Sequence, residues 1–242
     1  MHYVMSDIHG DSAALDAILA MIDMKGEDQL YILGDVVDRG PDGIALLRRI
    51  RGMPNATLLL GNHEWMMIDA LRHPDDNWAL MQWWQNGCEE TFRRFYDLAP
   101  DDREDLLGYV ESLPVQMEIC AGERRYCLVH AAPVELHEAD GKEGETEFAV
   151  WQRMPLILPP QLTGRTIVIG HTPSAYWLQT DWPRMRIAHG DGVIDLDCGC
   201  AYPKSGGQLG CLRLEDMTEF YSIDGVVTAR AAAEWRALHV KR

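Results

Sequence analysis

The sequence predicts an α/β protein with two sheets, and three observations support that class. Apolar segments alternate with amphipathic segments over residues 2–60, which is the pattern of βαβ units and of a mostly parallel sheet. Several short apolar segments follow one another after residue 115, which indicates a second, partly antiparallel sheet. Apolar residues make up 47% of the 242, so the chain can bury a large core.

The predicted strands and helices of the first part alternate along the chain. The strands are His2–Ser6, Gln29–Gly34 and Ala56–Leu60, and each is short and apolar. The helices are Ser12–Met24 and Asp42–Arg51, whose apolar residues recur at helical spacing. Because a strand, a helix and a parallel strand form one unit, we expect the three strands to lie side by side in one sheet.

The rest of the chain is predicted to be helical first and then rich in strands. Several helices occupy residues 64–112, where Trp, Met and Leu are frequent. The strands that follow are Val115–Cys120, Tyr126–Val129, Thr166–Gly170, Val193–Leu196, Gly210–Leu214 and Glu219–Ile223. The segment Ala229–His239 is predicted to form a last helix. We therefore expect a main domain over residues 1–225 and a short helical extension of it over 226–242.

Composition argues against several classes of function. The formal net charge of −16 at pH 7 opposes generic binding of nucleic acid or of an anionic membrane. No apolar run reaches the roughly 18 residues of a membrane-spanning helix, and no secretory signal is visible. We therefore expect a cytoplasmic location. There the six cysteines, which include no CxxC pair, are expected to be reduced thiols.

Polar residues follow five of the predicted strands, and most of them can bind a metal. They are Asp7 and His9 after the first strand, Asp35, Asp38 and Arg39 after the second, Asn62 and His63 after the third, and His130 and His171 after two later strands. Asp7 and Asp35 are 28 residues apart, and Asp35 and Asn62 are 27 apart, each near the size of one strand–helix unit. Ligands of α/β sheets bind beyond the carboxyl ends of the strands, so we expect one shared site there.

The residue types at these strand ends suit a centre with two metal ions. Carboxylate oxygen, amide oxygen and imidazole nitrogen suit Mn²⁺, Fe or Zn²⁺ better than they suit a thiolate-selecting metal. Two such ions about 4 Å apart can hold the attacking and leaving oxygens of a phosphoester. A lone buried histidine is more often a hydrogen-bonded core residue than a ligand. We apply that interpretation to His2, His73, His137, His189 and His239.

Five short motifs occur in a fixed order along the chain. They are D-x-H-G at 7–10, G-D-x-x-D-R-G at 34–40, G-N-H-E at 61–64, V-H-A at 129–131 and G-H-T at 170–172. Together they resemble the calcineurin-like metallophosphoesterases of the phosphoprotein-phosphatase type. The additional motifs Asn86-Gly87, Val150-Trp151-Gln152-Arg153, Gly170-His171-Thr172-Pro173 and Leu196-Asp197-Cys198-Gly199 are similar to the bacterial and phage serine/threonine branch. The resemblance covers residues 2–215 and implies a four-layer α/β/β/α sandwich, two mixed sheets flanked by helices.

The resemblance also implies a role for each motif residue. Asp7 and His9 correspond to ligands of one metal, Asp35 to the carboxylate shared by both metals, and Asn62, His130 and His171 to ligands of the other. Two divalent ions are implied, Mn²⁺ first, with Fe or Zn²⁺ as alternatives. Arg39 and Arg153 correspond to phosphate-binding residues, and Asn62 is expected to contact the substrate as well. His63 corresponds to the general acid, with a pKa held high by its partner Asp38.

Three functions are open at this point. The favoured one is a serine/threonine protein phosphatase acting on a phosphoprotein or phosphopeptide, with metal-activated hydroxide attacking phosphorus in line. A dinucleoside polyphosphate hydrolase of the same fold is the alternative. Its related motif is G-N-H-D, so Glu64 leans toward phosphoprotein substrates. A non-catalytic binding protein is disfavoured, because every expected residue type is present. The oligomeric state stays open.

Other features receive lesser expectations. The segment 133–150 is either a solvated acidic loop or an entrance that favours basic peptides over polyanions; its acidic residues are Glu135, Glu138, Asp140, Glu143, Glu145 and Glu147. Packing is expected of the aromatic residues Trp83, Trp84, Tyr176, Trp177 and Trp182. Asp11 is expected to cap a helix and Asp197 to be structural. A third metal or a redox switch at Cys198 and Cys200 stays an open alternative.

Overall fold

The computed structural model describes residues 1–138, 144–178 and 183–239, and it confirms the four-layer α/β/β/α sandwich. In chain order the elements are β1 His2–Met5, α1 Ser12–Ile22, β2 Gln29–Ile32, α2 Gly43–Arg51, β3 Ala56–Leu58, α3 Asn62–Arg72, α4 Asn77–Gln85, α5 Glu89–Tyr96, α6 Pro100–Glu111, β4 Gln116–Ala121, β5 Arg124–Val129, α7 Glu145–Trp151, β6 Thr166–Ile169, β7 Ala188–His189, β8 Val193–Asp195, β9 Gly210–Arg213, β10 Thr218–Tyr221, β11 Gly225–Val227 and α8 Ala229–His239.

Both sheets are mixed. The first has the order β11-β10-β9-β1-β2-β3, in which β1, β2 and β3 are parallel and the other three strands are antiparallel to their neighbours. The second has the order β4-β5-β6-β8-β7, with β5, β6 and β8 parallel. The predicted site residues follow five of these six parallel strands, namely β1, β2, β3, β5 and β6.

Alternating side chains bury both faces of each sheet, as the two-residue period of a strand requires. Val4 of β1 and Leu128 of β5 lie in the apolar layer between the sheets. Met5 faces a core shared with helices α1, α2, α3 and α6. Cys127 and Val129 face a smaller core that includes residues of α7. The two sheets therefore pack face to face, with helices outside.

Several element bounds differ from the sequence prediction. Helix α1 ends at Ile22 because Asp23 adopts a left-handed conformation with φ 42°. Helix α3 begins at Asn62 and thus includes part of the third motif. Strands β7 and β11 were not predicted, since they have only two and three residues. Strand β11 ends at Val227, and α8 begins at Ala229 within the segment 226–242.

Two further findings concern the cysteines and the helices. No disulfide joins the six cysteines, and only Cys120 is exposed. Within the described residues, no helix combines the length and the apolar character needed to cross a membrane.

Candidate metal centre

The loops that follow β1 and β2 are hydrogen-bonded to each other. The His9 amide donates to the Asp35 carbonyl over 2.9 Å, and the Gly10 amide donates to the Val36 carbonyl over 2.8 Å. The Asp7 amide extends the same pairing toward β2. The first two motifs therefore form a single interlocked structure at the carboxyl edge of the first sheet.

The second sheet reaches this edge through its two motif histidines. His130 Nδ1 lies 2.6 Å from the Leu33 carbonyl oxygen at the end of β2. The His171 amide donates to Asp7 Oδ2 over 3.0 Å. Residues from both sheets therefore meet at one site, where the sequence analysis expected them.

Glycine is required where the strand ends approach most closely. A Cβ on Gly61 would lie 2.3 Å from Asp35 Oδ1, and a Cβ on Gly170 would lie 2.3 Å from Asp7 Oδ2. Both distances are far shorter than any van der Waals contact, so a side chain at either position would displace a carboxylate of the site. The absence of a Cβ is what allows these approaches.

One group of metal-binding atoms consists of His9, Asp35 and His63, whose donor atoms all lie within 4.8 Å of one another. His9 Nε2 is 3.7 Å and His63 Nε2 is 3.8 Å from Asp35 Oδ2. Asp7 Oδ1 is 3.9 Å from His9 Nε2. Asp7 and His9, which were predicted to share a metal, therefore lie together with the predicted bridging carboxylate.

A second group consists of Asp35, His130 and His171. His130 Nε2 lies 3.4 Å from Asp35 Oδ1, the oxygen that does not face the first group. The side-chain oxygen of Asn62 lies 2.9 Å from His130 Nε2 and 3.0 Å from His171 Nδ1. Asp35 thus belongs to both groups, with one carboxylate oxygen directed to each.

The hydrogen bonds of the histidines suit metal binding. His9 Nδ1 lies 3.1 Å from the Val37 carbonyl, and His130 Nδ1 lies 2.6 Å from that of Leu33. In each ring Nδ1–H therefore donates and the Nε2 lone pair faces Asp35. Burial lowers the pKa of His9 and of His171 well below the usual value, and nearby positive charge lowers both further. Neutral imidazole is the form that binds a metal.

The buried carboxylates at this edge also suit bound metal ions. Burial raises the pKa of Asp35 well above its usual value, and the negative charges of Asp7 and Glu64 raise it further. Such a set of buried acids is costly unless cations stand among them. Oxygen and nitrogen donors in two groups around one carboxylate fit two divalent ions, and the donor chemistry does not select one metal over another.

The backbone at this edge is held in rarely occupied conformations. Within the described residues, eight non-glycine residues have positive φ, and six of them belong to the motifs: Asp7, His9, Asp35, Asp38, Arg39 and His171. Left-handed backbone at non-glycine residues costs free energy and persists only where the surroundings enforce it. The concentration of these residues here marks a site whose geometry is imposed by the fold.

His63, Asp38 and Arg39 lie beside the first group. His63 Nδ1 is 2.6 Å from Asp38 Oδ2, while Arg39 Nη2 is 3.0 Å from His63 Nε2 and Arg39 Nη1 is 3.1 Å from His9 Nε2. The Arg39 side chain also covers the ring of Tyr202, at 5.4 Å. A cation, an imidazole and a carboxylate therefore meet where a ligand of the metal groups would approach.

The pKa of His63 is shifted in the opposite direction to the one predicted from the sequence. Burial and the charge of Arg39 lower the pKa of His63 well below the usual value, whereas a carboxylate partner was expected to keep it high. Burial also raises the pKa of Asp38 to about 7. The carboxylate is itself so strongly desolvated that its charge does not outweigh the burial of the imidazole.

A model of the Calcineurin-like phosphoesterase family matches residues 3–228, and this range includes every motif described above. The chain belongs to that family. The phosphoesterase is 31% identical to a symmetrical bis(5'-nucleosyl)-tetraphosphatase of Erwinia tasmaniensis, over 90% of this chain and 95% of that protein. It is 28% identical to serine/threonine-protein phosphatase 2 of Salmonella typhimurium, over 70% of this chain and 78% of that protein.

Two further comparisons concern the length of a relative and the likeness to a solved structure. The matched region spans only 46% of the length of a related tetraphosphatase from Paracidovorax citrulli. Among solved structures, a cold-active protein-tyrosine phosphatase of a Shewanella species superposes with a TM-score of 0.56 at 17% identity, covering 94% of this chain and 79% of that one. That likeness concerns the fold. The chain thus belongs to the calcineurin-like phosphoesterases, and its relatives carry names of different substrate classes.

Glu64 does not face the substrate side of the phosphoesterase site. It is fully buried, and its carboxylate accepts hydrogen bonds from the amides of Asp35, Val36, Val37 and Gly61 over 2.8 to 3.2 Å. It therefore fixes the second motif loop to the start of α3. The sequence-based use of Glu64 as an indicator of phosphoprotein substrates has no basis in this geometry.

Arg153 lies at the rim of the site. Its side chain is exposed and lies over the Tyr176 ring at 5.9 Å, yet its charge lowers the pKa of His171. It also lines a pocket of about 480 Å³ together with Glu138 and Phe148. Unlike Arg39, it makes no described hydrogen bond to a metal-binding group.

The acidic segment 133–150 is divided among different structures. Glu135 forms an ion pair with Arg165, and Glu138 lines the rim pocket. Glu145 and Glu147 lie in the first turn of α7, where negative charge is favourable, so part of the expected loop is helical. The remaining positions, Asp140 and Glu143, lie outside the described residues.

The lesser expectations have mixed outcomes. Asp11 caps α1, since its carboxylate accepts from the Ala14 amide over 2.9 Å. Asp197 is buried and accepts from the Gly199 amide. The Cys198 and Cys200 thiols are buried, and burial raises the pKa of each. Neither thiol belongs to a metal-binding group among the described residues.

The aromatic residues do not behave alike. Tyr176 is 67% exposed and Trp84 is 46% exposed, so they are not packed as expected. Trp177 Nε1 donates to Asp195 Oδ2 over 2.8 Å, and Trp182 lies outside the described residues. Trp83 is fully buried, and it also donates to Asp38 Oδ2, a contact that sequence reasoning missed. The general tendency of buried indole N–H groups to find an acceptor is the signal that could have indicated it.

Proposed function

We propose that this metallophosphoesterase is a serine/threonine protein phosphatase. The carrying observation is the His63–Asp38 pair, in which Nδ1 lies 2.6 Å from the carboxylate while Nε2 faces Arg39. A serine or threonine alkoxide is a strong base and requires a proton as it leaves, whereas a nucleoside diphosphate is a far weaker base. An imidazole placed beside a phosphate-binding cation therefore favours an alkoxide leaving group. The net charge of −16 further disfavours a polyanionic substrate.

The proposed metal ligands draw on the two groups of donor atoms, except that Asp7 takes the place of His63, which is assigned to proton donation. Asp7, His9 and Asp35 would hold one ion, and Asp35, Asn62, His130 and His171 would hold the other, with Mn²⁺ as the proposed metal in both. When bound, such a pair of ions supplies hydroxide near neutral pH and stabilises charge on phosphorus. The side chains keep these positions through the bonds of His9 and His130 to backbone carbonyls.

Arg39 is proposed as the main phosphate-binding residue. Its planar guanidinium can donate to two phosphate oxygens at once, and it stands between His9 and His63. Arg153 is proposed as the second phosphate-binding residue, acting from the rim. Asn62, whose side-chain oxygen faces the second metal group, is proposed to contact the substrate as well.

His63 is proposed to donate the proton to the leaving oxygen from Nε2. The lowered pKa of His63 means that the imidazole is neutral before substrate binds. A phosphate dianion bound by Arg39 offsets the positive charge that lowers this pKa, so protonation of His63 is favoured in the complex. Asp38 keeps the ring oriented through Nδ1.

The test is a comparison of leaving groups in Mn²⁺-loaded protein. We expect His63→Asn to reduce turnover of a phosphoserine peptide by about 10²-fold or more, the usual scale of general acid catalysis, with a much smaller loss on p-nitrophenyl phosphate. Bound metal, measured by elemental analysis, should stay nearly constant. Equal losses on both substrates would contradict the acid role.

A dinucleoside polyphosphate hydrolase is the second candidate, and the tetraphosphatase relative that matches over nearly the full length of both chains favours it. A panel of phosphoserine, phosphothreonine and phosphotyrosine peptides beside diadenosine tetraphosphate separates the two. We expect the highest kcat/KM on phosphoserine or phosphothreonine. Dominant turnover of the dinucleotide would replace the first candidate by the second.

A further inference from the structure

Helices α4 and α5 and the loop between them contact the Asp38–Arg39 turn at three points. Trp83 Nε1 donates to Asp38 Oδ2 over 2.8 Å, the Asp38 amide donates to Thr91 Oγ1 over 2.9 Å, and the Arg39 amide donates to the Gly87 carbonyl over 2.8 Å. Asp38 and Arg39 both have positive φ, so this turn needs external support. The two helices and their connecting loop supply that support from outside the sheet.

Trp83 makes the one contact of the three that reaches a side chain of the site. It is fully buried, and its ring packs edge-on against Phe92 with centroids 6.1 Å apart. Its indole N–H points to the same Asp38 oxygen that lies 2.6 Å from His63 Nδ1. One carboxylate oxygen therefore accepts from two buried ring N–H groups.

We propose that Trp83 is a positioning residue for the His63–Asp38 pair. Two donors on one oxygen fix the carboxylate in its plane, and the fixed carboxylate in turn fixes the direction of His63 Nε2. Removal of the indole bond takes one donor from this oxygen, so the orientation of the buried Asp38 carboxylate is less sharply defined while its link to His63 persists. The inference rests on the proposed acid role of His63, because proton donation to the leaving oxygen depends on the direction of Nε2.

The competing explanation is that Trp83 only fills the core. That explanation treats the ring volume as the whole contribution, so the smaller ring of Trp83→Phe would lower stability and affect every substrate alike. The neighbouring Trp84 offers a matched control, since it is 46% exposed and its residue lies in the same helix. Its indole makes no described hydrogen bond to Asp38.

The experiment compares Trp83→Phe with Trp84→Phe in Mn²⁺-loaded protein. Trp83→Phe keeps an aromatic ring and removes the N–H. We expect kcat on a phosphoserine peptide to fall about tenfold and kcat on p-nitrophenyl phosphate to fall less than about twofold, because imperfect aim weakens only the proton transfer. KM and metal content should stay unchanged, and Trp84→Phe should match the wild type.

The same comparison in the His63→Asn background decides whether Trp83 acts through the histidine. We expect the selective loss caused by Trp83→Phe to vanish there. A loss that persists in this background, or that is equal on both substrates, overturns the inference and leaves the acid role of His63 intact. If His63→Asn itself affects both substrates equally, the proposed function fails and the inference fails with it.

A measurement on protein with Trp83 intact covers the case in which Trp83→Phe does not fold. In the ¹H–¹⁵N spectrum, Asp38→Asn should shift one indole resonance that is protected from solvent exchange and leave the others in place. An unchanged set of indole resonances would show that no indole N–H depends on Asp38, and the inference would be wrong.

Discussion

The two regions that build the metal centre hold their residues in different ways. In residues 7–64 the motif loops bond to one another through backbone amides and through the buried Glu64 carboxylate. In residues 130–171 the contribution is two histidines that reach across from the second sheet, with Arg153 at the rim. The first region behaves as one interlocked unit, so a change there disturbs several functional groups. The second has fewer such links, among them the Gly170 amide that donates to the His130 carbonyl over 2.8 Å, so a change there should disturb fewer functional groups.

The largest effect is expected at Asp35, because it belongs to both groups of metal-binding atoms. Asp35→Asn should reduce activity by more than the ~10²–10³-fold seen when one charge-stabilising group is removed from an active site. Elemental analysis should show loss of both ions. Asp11→Asn is the control, since Asn also caps helices. Retention of both ions by the Asp35 variant would contradict the assigned sharing.

Substitutions of the two arginines should have different effects, because Arg39 lies in the interlocked region and Arg153 lies at the rim. Arg39 contacts His9 and His63 directly, so Arg39→Ala should reduce kcat/KM by about 10²-fold. Arg153 is exposed, so Arg153→Ala should raise KM by about tenfold or less, with a smaller change in kcat. Steady-state kinetics on one phosphopeptide measures both. The reverse order of effects would place the main phosphate contact at the rim.

Glu64→Asp tests whether position 64 selects the substrate. The shorter carboxylate cannot keep all four amide contacts, and a lost buried hydrogen bond costs about 1–3 kcal/mol. We expect a lower melting temperature and weaker metal binding. The activity ratio between phosphopeptide and diadenosine tetraphosphate should not change, because Glu64 is buried away from the substrate. A shift of this ratio toward the dinucleotide would restore the sequence-based argument.

The smallest effect is expected from charge at the rim. Glu138 lines the pocket that contains Arg153, so Glu138→Lys should shift preference from basic toward acidic phosphopeptides by about two- to fivefold, in the manner of a rim charge. Glu27→Lys makes the same change in charge before β2, at the opposite edge of the sheet. If the ratio of activities on basic and acidic phosphopeptides were equal in both variants, the charge at Glu138 would have no part in substrate preference.

Sequence reasoning succeeded where short motifs follow apolar strands. The gathering of Asp7, Asp35 and Asn62 followed from their spacing and from the parallel order of three strands, both of which are local properties. The roles of Glu64 and Trp83 could not be predicted in this way. Each depends on a backbone or side-chain partner from another element, and nothing in the residue types indicates which partner that is. The pKa of His63 escaped prediction because burial competes with its carboxylate partner.

The six left-handed motif residues have a consequence for protein engineering. Glycine would relieve the local strain at each of these positions, but it would also remove the ligand or donor that the position carries. Substitutions to glycine at these positions would therefore gain stability at the expense of the proposed function. A thermostable variant that still turns over must find its gains elsewhere, on the helices and the far side of the sandwich.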